Sequence, residues 1–168
     1  MPNSKLRAPH PERESKMTDE TEIKIIGMAP TFEAFGMIIE YLSETDVFRT
    51  FDLSAISDVV RRQLADGHNL AAFDGKQVLG YAGWLHTTEH VGSEWVENRA
   101  ILKPLQAADS DAVALTVFAV SDKVLTARLI RGARELNKGK RVFFKRGYDG
   151  VVRPSRKQAV LNFTAGSA

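Results

Sequence analysis

Residues 69–86, NLAAFDGKQVLGYAGWLH, constrain the fold of this chain more than any other stretch. Asp74-Gly75 is a two-residue turn signal of the kind that closes a β-hairpin, where both turn positions need φ > 0. The arms on either side, 70–73 and 78–85, are apolar and uncharged. That composition predicts a place inside a sheet covered on both faces. Gly80 and Gly83 weaken a strand unless the backbone must bulge or something must approach it closely.

The 168 residues are enough for one domain with a core of its own. The chain has no cysteine, which excludes disulfides, thiolate nucleophiles and cysteine-ligated metals. No apolar run approaches the length of a membrane span, and no signal-peptide core opens the chain, so a cytoplasmic protein is expected. Residues 1–22 are polar and of mixed charge, and are predicted to be a disordered tail ahead of a single domain over 23–168. Met17 opens MTDETEIKII and is a second candidate start.

Elements follow from periodicity and punctuation. A lead-in strand is predicted at 23–28. A helix begins at Pro30-Thr31 and carries Phe32, Phe35, Ile38, Ile39 and Leu42 on one stripe. A second helix, capped by Asp52 or Ser54, runs to Leu64 with Ile56, Val59, Val60 and Leu64 inward. Over 86–104 neither period dominates. Residues 112–120, AVALTVFAV, are a buried strand. The helix after it has Ser121 as cap and Asn137-Lys138-Gly139 as stop. Residues 141–145 form a strand, Tyr148-Asp149-Gly150 a turn, and the chain from Val151 an extended piece ending near Phe163. The outline is α/β (α+β), a sheet with helices packed on it.

Charge is uneven. Residues 123–157 hold twelve Lys or Arg and two acids, while the rest of the chain holds 11 basic and 19 acidic residues. Arg128, Arg131, Arg134 and Lys138 fall at helical spacing, and Lys140, Arg141, Lys145 and Arg146 extend the block. It reads as a solvated helix face or as the electrostatic footprint of an acidic partner. Phe143, Phe144 and Tyr148 are too few to stack bases, so a protein partner is favoured over nucleic acid.

The element order resembles the Gcn5-related N-acetyltransferase (GNAT) fold, a mixed sheet with helices on both faces. Within it the chain is most similar to the RTX toxin-activating lysine acyltransferases. Three segments carry the resemblance: Tyr81-Ala82-Gly83-Trp84-Leu85 after the hairpin turn, the apolar strand 112–122 ending in Asp, and RVFFKRGYDGVVR at 141–153. The resemblance implies transfer of a fatty acyl group from acyl carrier protein to a protein lysine. It also implies a donor site around Gly83 and Trp84, and a homodimer.

Two departures matter. Acetyl-CoA-using members hold pyrophosphate on a glycine-rich turn at a helix start. This chain has Ala119-Val120-Ser121-Asp122-Lys123, without glycine and with a carboxylate, so acyl carrier protein is expected as donor rather than coenzyme A, and no cofactor is expected. The family's catalytic histidine position falls at Phe48, and its aspartate position at Leu115 and Thr116. Neither Phe48 nor Leu115 can carry a proton. The remaining candidates for proton transfer are His86, Asp46 (or Asp52) and Thr116. The alternative is a relative without catalysis that binds a partner through its acyl groove or basic face, with nucleic-acid binding a weaker third. His86 and His90 at i, i+4 do not make a metal motif without the glutamate of HExxH, and His86 reads otherwise as an exposed strand-end residue.

Overall fold

The fold was obtained as a computed structural model, which describes residues 22–145 with their side chains and the backbone of 147–148, 151–152 and 161–162. The predicted tail over 1–22, apart from Glu22, lies outside the described residues, as do Arg146, Asp149 and Gly150.

The chain opens with β1 (Lys24–Ile26), α1 (Phe32–Glu44) and α2 (Leu53–Ala65). Thr31 caps α1 by accepting from the Ala34 N–H at 3.1 Å, and Asp52 caps α2 by accepting from the Ala55 N–H at 3.0 Å. Both are oxygen side chains that satisfy an N–H left unpaired in the first helical turn. The hairpin follows as β2 (Asn69–Phe73) and β3 (Val78–Thr87), then α3 (Glu89–Val96). β4 (Ala112–Val120), α4 (Lys123–Leu136) and β5 (Arg141–Phe144) come next, then three two-residue strands, β6 (Gly147–Tyr148), β7 (Val151–Val152) and β8 (Leu161–Asn162).

Six strands form one sheet in the order β1-β2-β3-β4-β5-β8, and β6 pairs with β7 separately. The first four are antiparallel neighbours, β4 and β5 run parallel, and β8 returns antiparallel to β5. The sheet is therefore mixed, with helices on both faces, as expected. On one face α1 and α2 bury Ile38, Leu42, Val60 and Leu64 against Tyr81, Val117 and Ala119. On the same side Val96 of α3 packs on Ala112 and Phe143. On the other face Leu125 and Leu129 of α4 pack on Leu70, Ala72, Ala82, Trp84 and Val113. Among the described residues no helix is long and apolar enough to cross a membrane.

Three local readings are corrected or completed. The hairpin turn is not a two-residue turn with both φ positive: Phe73 pairs with Val78, and only Gly75 has positive φ, at 95°. Asp74 uses its side chain instead, accepting from the N–H groups of Lys76 and Gln77 at 2.8 Å each, the local bonding by which aspartate organises a loop. Residues 86–104 contain a helix, α3. It is short, and the glycine in its middle exists because a Cβ at Gly92 would lie 2.5 Å from the Phe143 ring. Its stripe is therefore too sparse to read.

The third correction concerns the start of α4. Asp122, not Ser121, is the cap, and its carboxylate accepts from the N–H groups of Val124 at 2.7 Å and Leu125 at 2.9 Å. Asp122→Ala is expected to cost about 1 kcal/mol through loss of this cap, which thermal unfolding would show as a lowered midpoint. An unchanged midpoint would mean that the cap contributes nothing to α4.

Candidate functional site

The site is built at the place where β4 leaves β5. β4 is nine residues long, but β5 pairs only with its first four, 112 to 115. Beyond Leu115, β4 keeps its antiparallel partner β3 on one side through Gly80. Among the described residues the opposite edge of 116–120 has no strand partner. Unpaired backbone N–H and C=O groups on a strand edge seek partners, and an extended chain laid alongside supplies them.

A bulge marks the point of separation. Trp84 pairs with Leu115 and Gly83 with Val117, so Thr116 is the extra residue on β4. A bulge bends its strand and raises the local twist. Above it sits a buried polar chain. Gln63 of α2, wholly buried, donates from Nε2 to the Thr116 hydroxyl at 2.7 Å and accepts from the Tyr81 hydroxyl at 3.0 Å. Thr116 in turn donates to the Gly83 carbonyl at 3.4 Å. Burial pushes the Tyr81 hydroxyl well above its ordinary pKa, so it stays protonated and acts as a donor.

The sheet separates the candidate residues. Thr116 and Gly83 lie at the bulge under α2. Gly83 is roofed by the Gln63 amide, because a Cβ there would fall 2.1 Å from Gln63 Oε1. Trp84 faces the other way, 3% exposed in the α4-side core, and stacks on His68 with ring centroids 6.3 Å apart. Asp46 lies in the loop after α1 with its side chain 96% exposed, 3.5 Å from Arg49. Phe48 packs on the core under α1 and α2, while Leu115 packs on the α4 side. Their apolar character agrees with those surroundings. The amides of Gly80 to Trp84 are not free to hold an oxyanion, because β3 is paired on both edges. Among the described residues the edge without a strand partner belongs to its neighbour β4.

His86 is not an exposed strand-end residue. It is 7% exposed, with its ring 4.3 Å from that of His68. Its Nδ1 lies 2.7 Å from the Ser110 hydroxyl and 3.1 Å from Lys140 Nζ. Lys140 also donates to the carbonyls of Ala107 at 2.9 Å and Ser110 at 3.0 Å, and to the Ser110 hydroxyl. An ammonium has three protons for these four acceptors, so Lys140 shares them among the two carbonyls, the hydroxyl and the imidazole. Burial, reinforced by His68 and Lys140, lowers the His86 pKa to about 4, and burial lowers that of His68. At neutral pH the pair is uncharged, and Lys140 holds the loop before β4 against the end of the sheet. His90 is exposed on α3 and does not join this cluster.

The basic block divides. Arg128, Arg131 and Arg134 are exposed on α4, and Lys138 is exposed just after its end. Arg128 donates to the Ile23 carbonyl at 2.7 Å, and Lys138 pairs with Glu135 at 2.7 Å. Lys145 instead donates to Asn98 at 2.6 Å, with its ammonium 4.7 Å from the Trp95 ring centroid at the far end of α3. Arg141 pairs with Glu89 at 2.8 Å. The α4 residues form one cationic face, and Lys140 and Lys145 serve the interior of loops.

Gln63 was missed in the sequence, although the signal was there. It lies three and four residues from Val60 and Val59, on the stripe that α2 turns inward. A polar residue at an apolar position of the stripe is the mark of a buried hydrogen-bonding role.

No family model matches the chain, and no curated protein matches it. Among solved structures, arylalkylamine N-acetyltransferase 2 from Aedes aegypti is similar over 68% of this chain and 69% of its own, at 17% identity and a TM-score of 0.46. An N-acetyltransferase from Staphylococcus aureus Mu50 is similar over 73% of this chain and 80% of its own, at 12% identity and a TM-score of 0.40.

Proposed function

We propose that this chain is an acyltransferase-type protein that receives a thioester-linked acyl group from an acyl carrier protein and passes it to a protein lysine, as the toxin-activating lysine acyltransferases do. The observation that supports this most is the one-sided edge of β4 over 116–120. It has the length to hold an extended thioester arm, no strand partner among the described residues, and it leads into the start of α4. In the reaction the acceptor nitrogen attacks the thioester carbonyl. A C–N bond forms, the C–S bond breaks, and the carrier leaves as a thiol while the ammonium proton passes to a base. The open amides of β4 are the groups available to the tetrahedral oxyanion.

Coenzyme A is disfavoured as donor for a physical reason. The first amides of α4 are occupied by the Asp122 carboxylate, which fills the place of a phosphate and repels one. Acyl carrier proteins are acidic, and the α4 arginines offer them a complementary face. Arg128→Glu/Arg131→Glu is therefore expected to weaken carrier binding about tenfold at low salt, with the difference shrinking as salt is raised. Calorimetry across a salt series checks this, and equal affinity for the double variant would place the carrier elsewhere.

A second reading is favoured by one observation. Phe48 and Leu115 are packed into the two cores, and of the candidate bases His86 lies on the opposite face while Asp46 is solvent-exposed on a loop. On that reading the chain binds an acylated carrier without turnover. Incubation with a carrier bearing a radiolabelled acyl chain separates the two. Label moving to an acceptor protein or to the chain's own lysines supports transfer, salt-sensitive binding without transfer supports the second reading, and neither result sinks both.

A further inference from the structure

We infer that Gln63 is a positioning residue whose amide, lying on Gly83 and bonded to Tyr81 and Thr116, fixes where β4 separates from β5 and so sets the place of the acyl-donor edge. This rests on the reading of that edge as the donor site.

Glutamine seldom occupies a fully buried position, and Gln63 is 0% exposed. Ordering its side chain costs entropy, and an apolar residue would pack a helix on a sheet without needing partners. The retained amide has one orientation that satisfies every group around it. Tyr81 donates to Oε1, Nε2 donates to Thr116, and Thr116 donates to the Gly83 carbonyl. In the reverse orientation the amide would donate to Tyr81 and accept from Thr116, leaving the tyrosine proton and the Gly83 carbonyl without these partners. The relay therefore runs in one direction, from β3 through α2 to β4 and back to β3.

Its end point is the bulge. Thr116 is the residue that has no partner on β3, and pairing with β5 stops at Leu115, immediately before it. A β4 without the bulge would bring residue 116 into line with Trp84 or Gly83 and shift every later residue to the opposite face. The amide also fits only because residue 83 has no Cβ. Three residues on three elements thus agree on the position of one irregularity.

Gln63→Met keeps the length of the side chain and removes its hydrogen bonds, while Thr116→Val removes only the last step. Amide exchange followed by mass spectrometry is the first readout. Both variants are expected to speed exchange over 116–120 about tenfold while the amides of β2 keep their wild-type rates. The second readout is transfer by Gln63→Met from labelled acyl carrier protein, with KM for the donor raised about tenfold and kcat within about twofold. If the wild-type chain transfers nothing, the acyl-donor reading fails and the exchange result still decides the role of Gln63. If Gln63→Met does not fold, Thr116→Val carries the test. Faster exchange spread evenly over the sheet, or unchanged exchange at 116–120 in Thr116→Val, would overturn the inference.

Discussion

Gly83→Ala is expected to destabilise the protein by about 3 kcal/mol, seen as a fall of about 10 °C in the unfolding midpoint. The added methyl would lie 2.1 to 2.7 Å from three atoms of the Gln63 amide. The atoms it meets are the ones that bond Tyr81 and Thr116, so yielding to the methyl moves them off these partners. Two costs then add: displacement of a packed side chain, and loss of hydrogen bonds by buried groups on Tyr81 and Thr116. Gly75→Ala lets the size of the effect be judged. That site has φ of 95° but open space around the new methyl, so it carries conformational strain alone. A Gly83→Ala variant no less stable than Gly75→Ala would show that the Gln63 roof is loosely held.

The second large effect is on pH dependence. His86 titrates near 6.5 in the unfolded chain and at about 4 in the folded one. Its folded pKa is depressed, so its contribution to stability is complete above pH 6.5 and is lost as pH falls toward 4. A difference of this size corresponds to on the order of 3 kcal/mol, and the lowered pKa of His68 acts in the same direction. The cause is burial, with the neighbouring imidazole and the Lys140 ammonium opposing a further positive charge, and Asp66 pulling weakly the other way. His86→Gln keeps an acceptor for Lys140 and removes the titration. Urea unfolding at pH 7 and pH 4.5 should show a steep loss in the wild type and a shallower one in the variant. Equal slopes would mean that the cluster stays hydrated and that the charge is tolerated.

How far the sequence reveals this molecule depends on how local each signal is. The helices over Phe32–Glu44 and Leu53–Ala65 lie within a residue or two of their expected limits, because apolar spacing and an oxygen cap are both local. β4 lies where the run AVALTVFAV places it. The hairpin arms were legible too, while its turn was not, since Asp74 solves the reversal with its side chain. The site is harder to read because its parts are distant in sequence. Lys140 reaches His86 across 54 residues and Gln63 reaches Thr116 across 53. Those meetings follow from the crossover that carries α4 over the sheet and from the bulge, and no periodicity announces either. Gly83 is the exception: a glycine inside an otherwise apolar strand signals close approach, and what approaches is the chain's own glutamine.

The polar relay under α2 and the cationic exterior of α4 give the edge of β4 its two surroundings. The relay bonds the strand from within, and the α4 face is where the proposed carrier protein would dock. Asp122 occupies the first amides of α4, and the donor proposed above is a carrier protein rather than coenzyme A. The expected preference is therefore transfer from carrier-bound thioester, with little or none from the coenzyme A thioester of the same acid.

The central claim is that the edge of β4 beyond Leu115 receives the acyl donor. Amide exchange of the full chain, with and without acyl carrier protein loaded with a fatty acyl group, tests it most directly. The account expects slowed exchange over 116–120 with acylated carrier and less slowing with the unloaded carrier. Slowing confined to other strands, or no change at 116–120 under conditions where the carrier is bound, would contradict it.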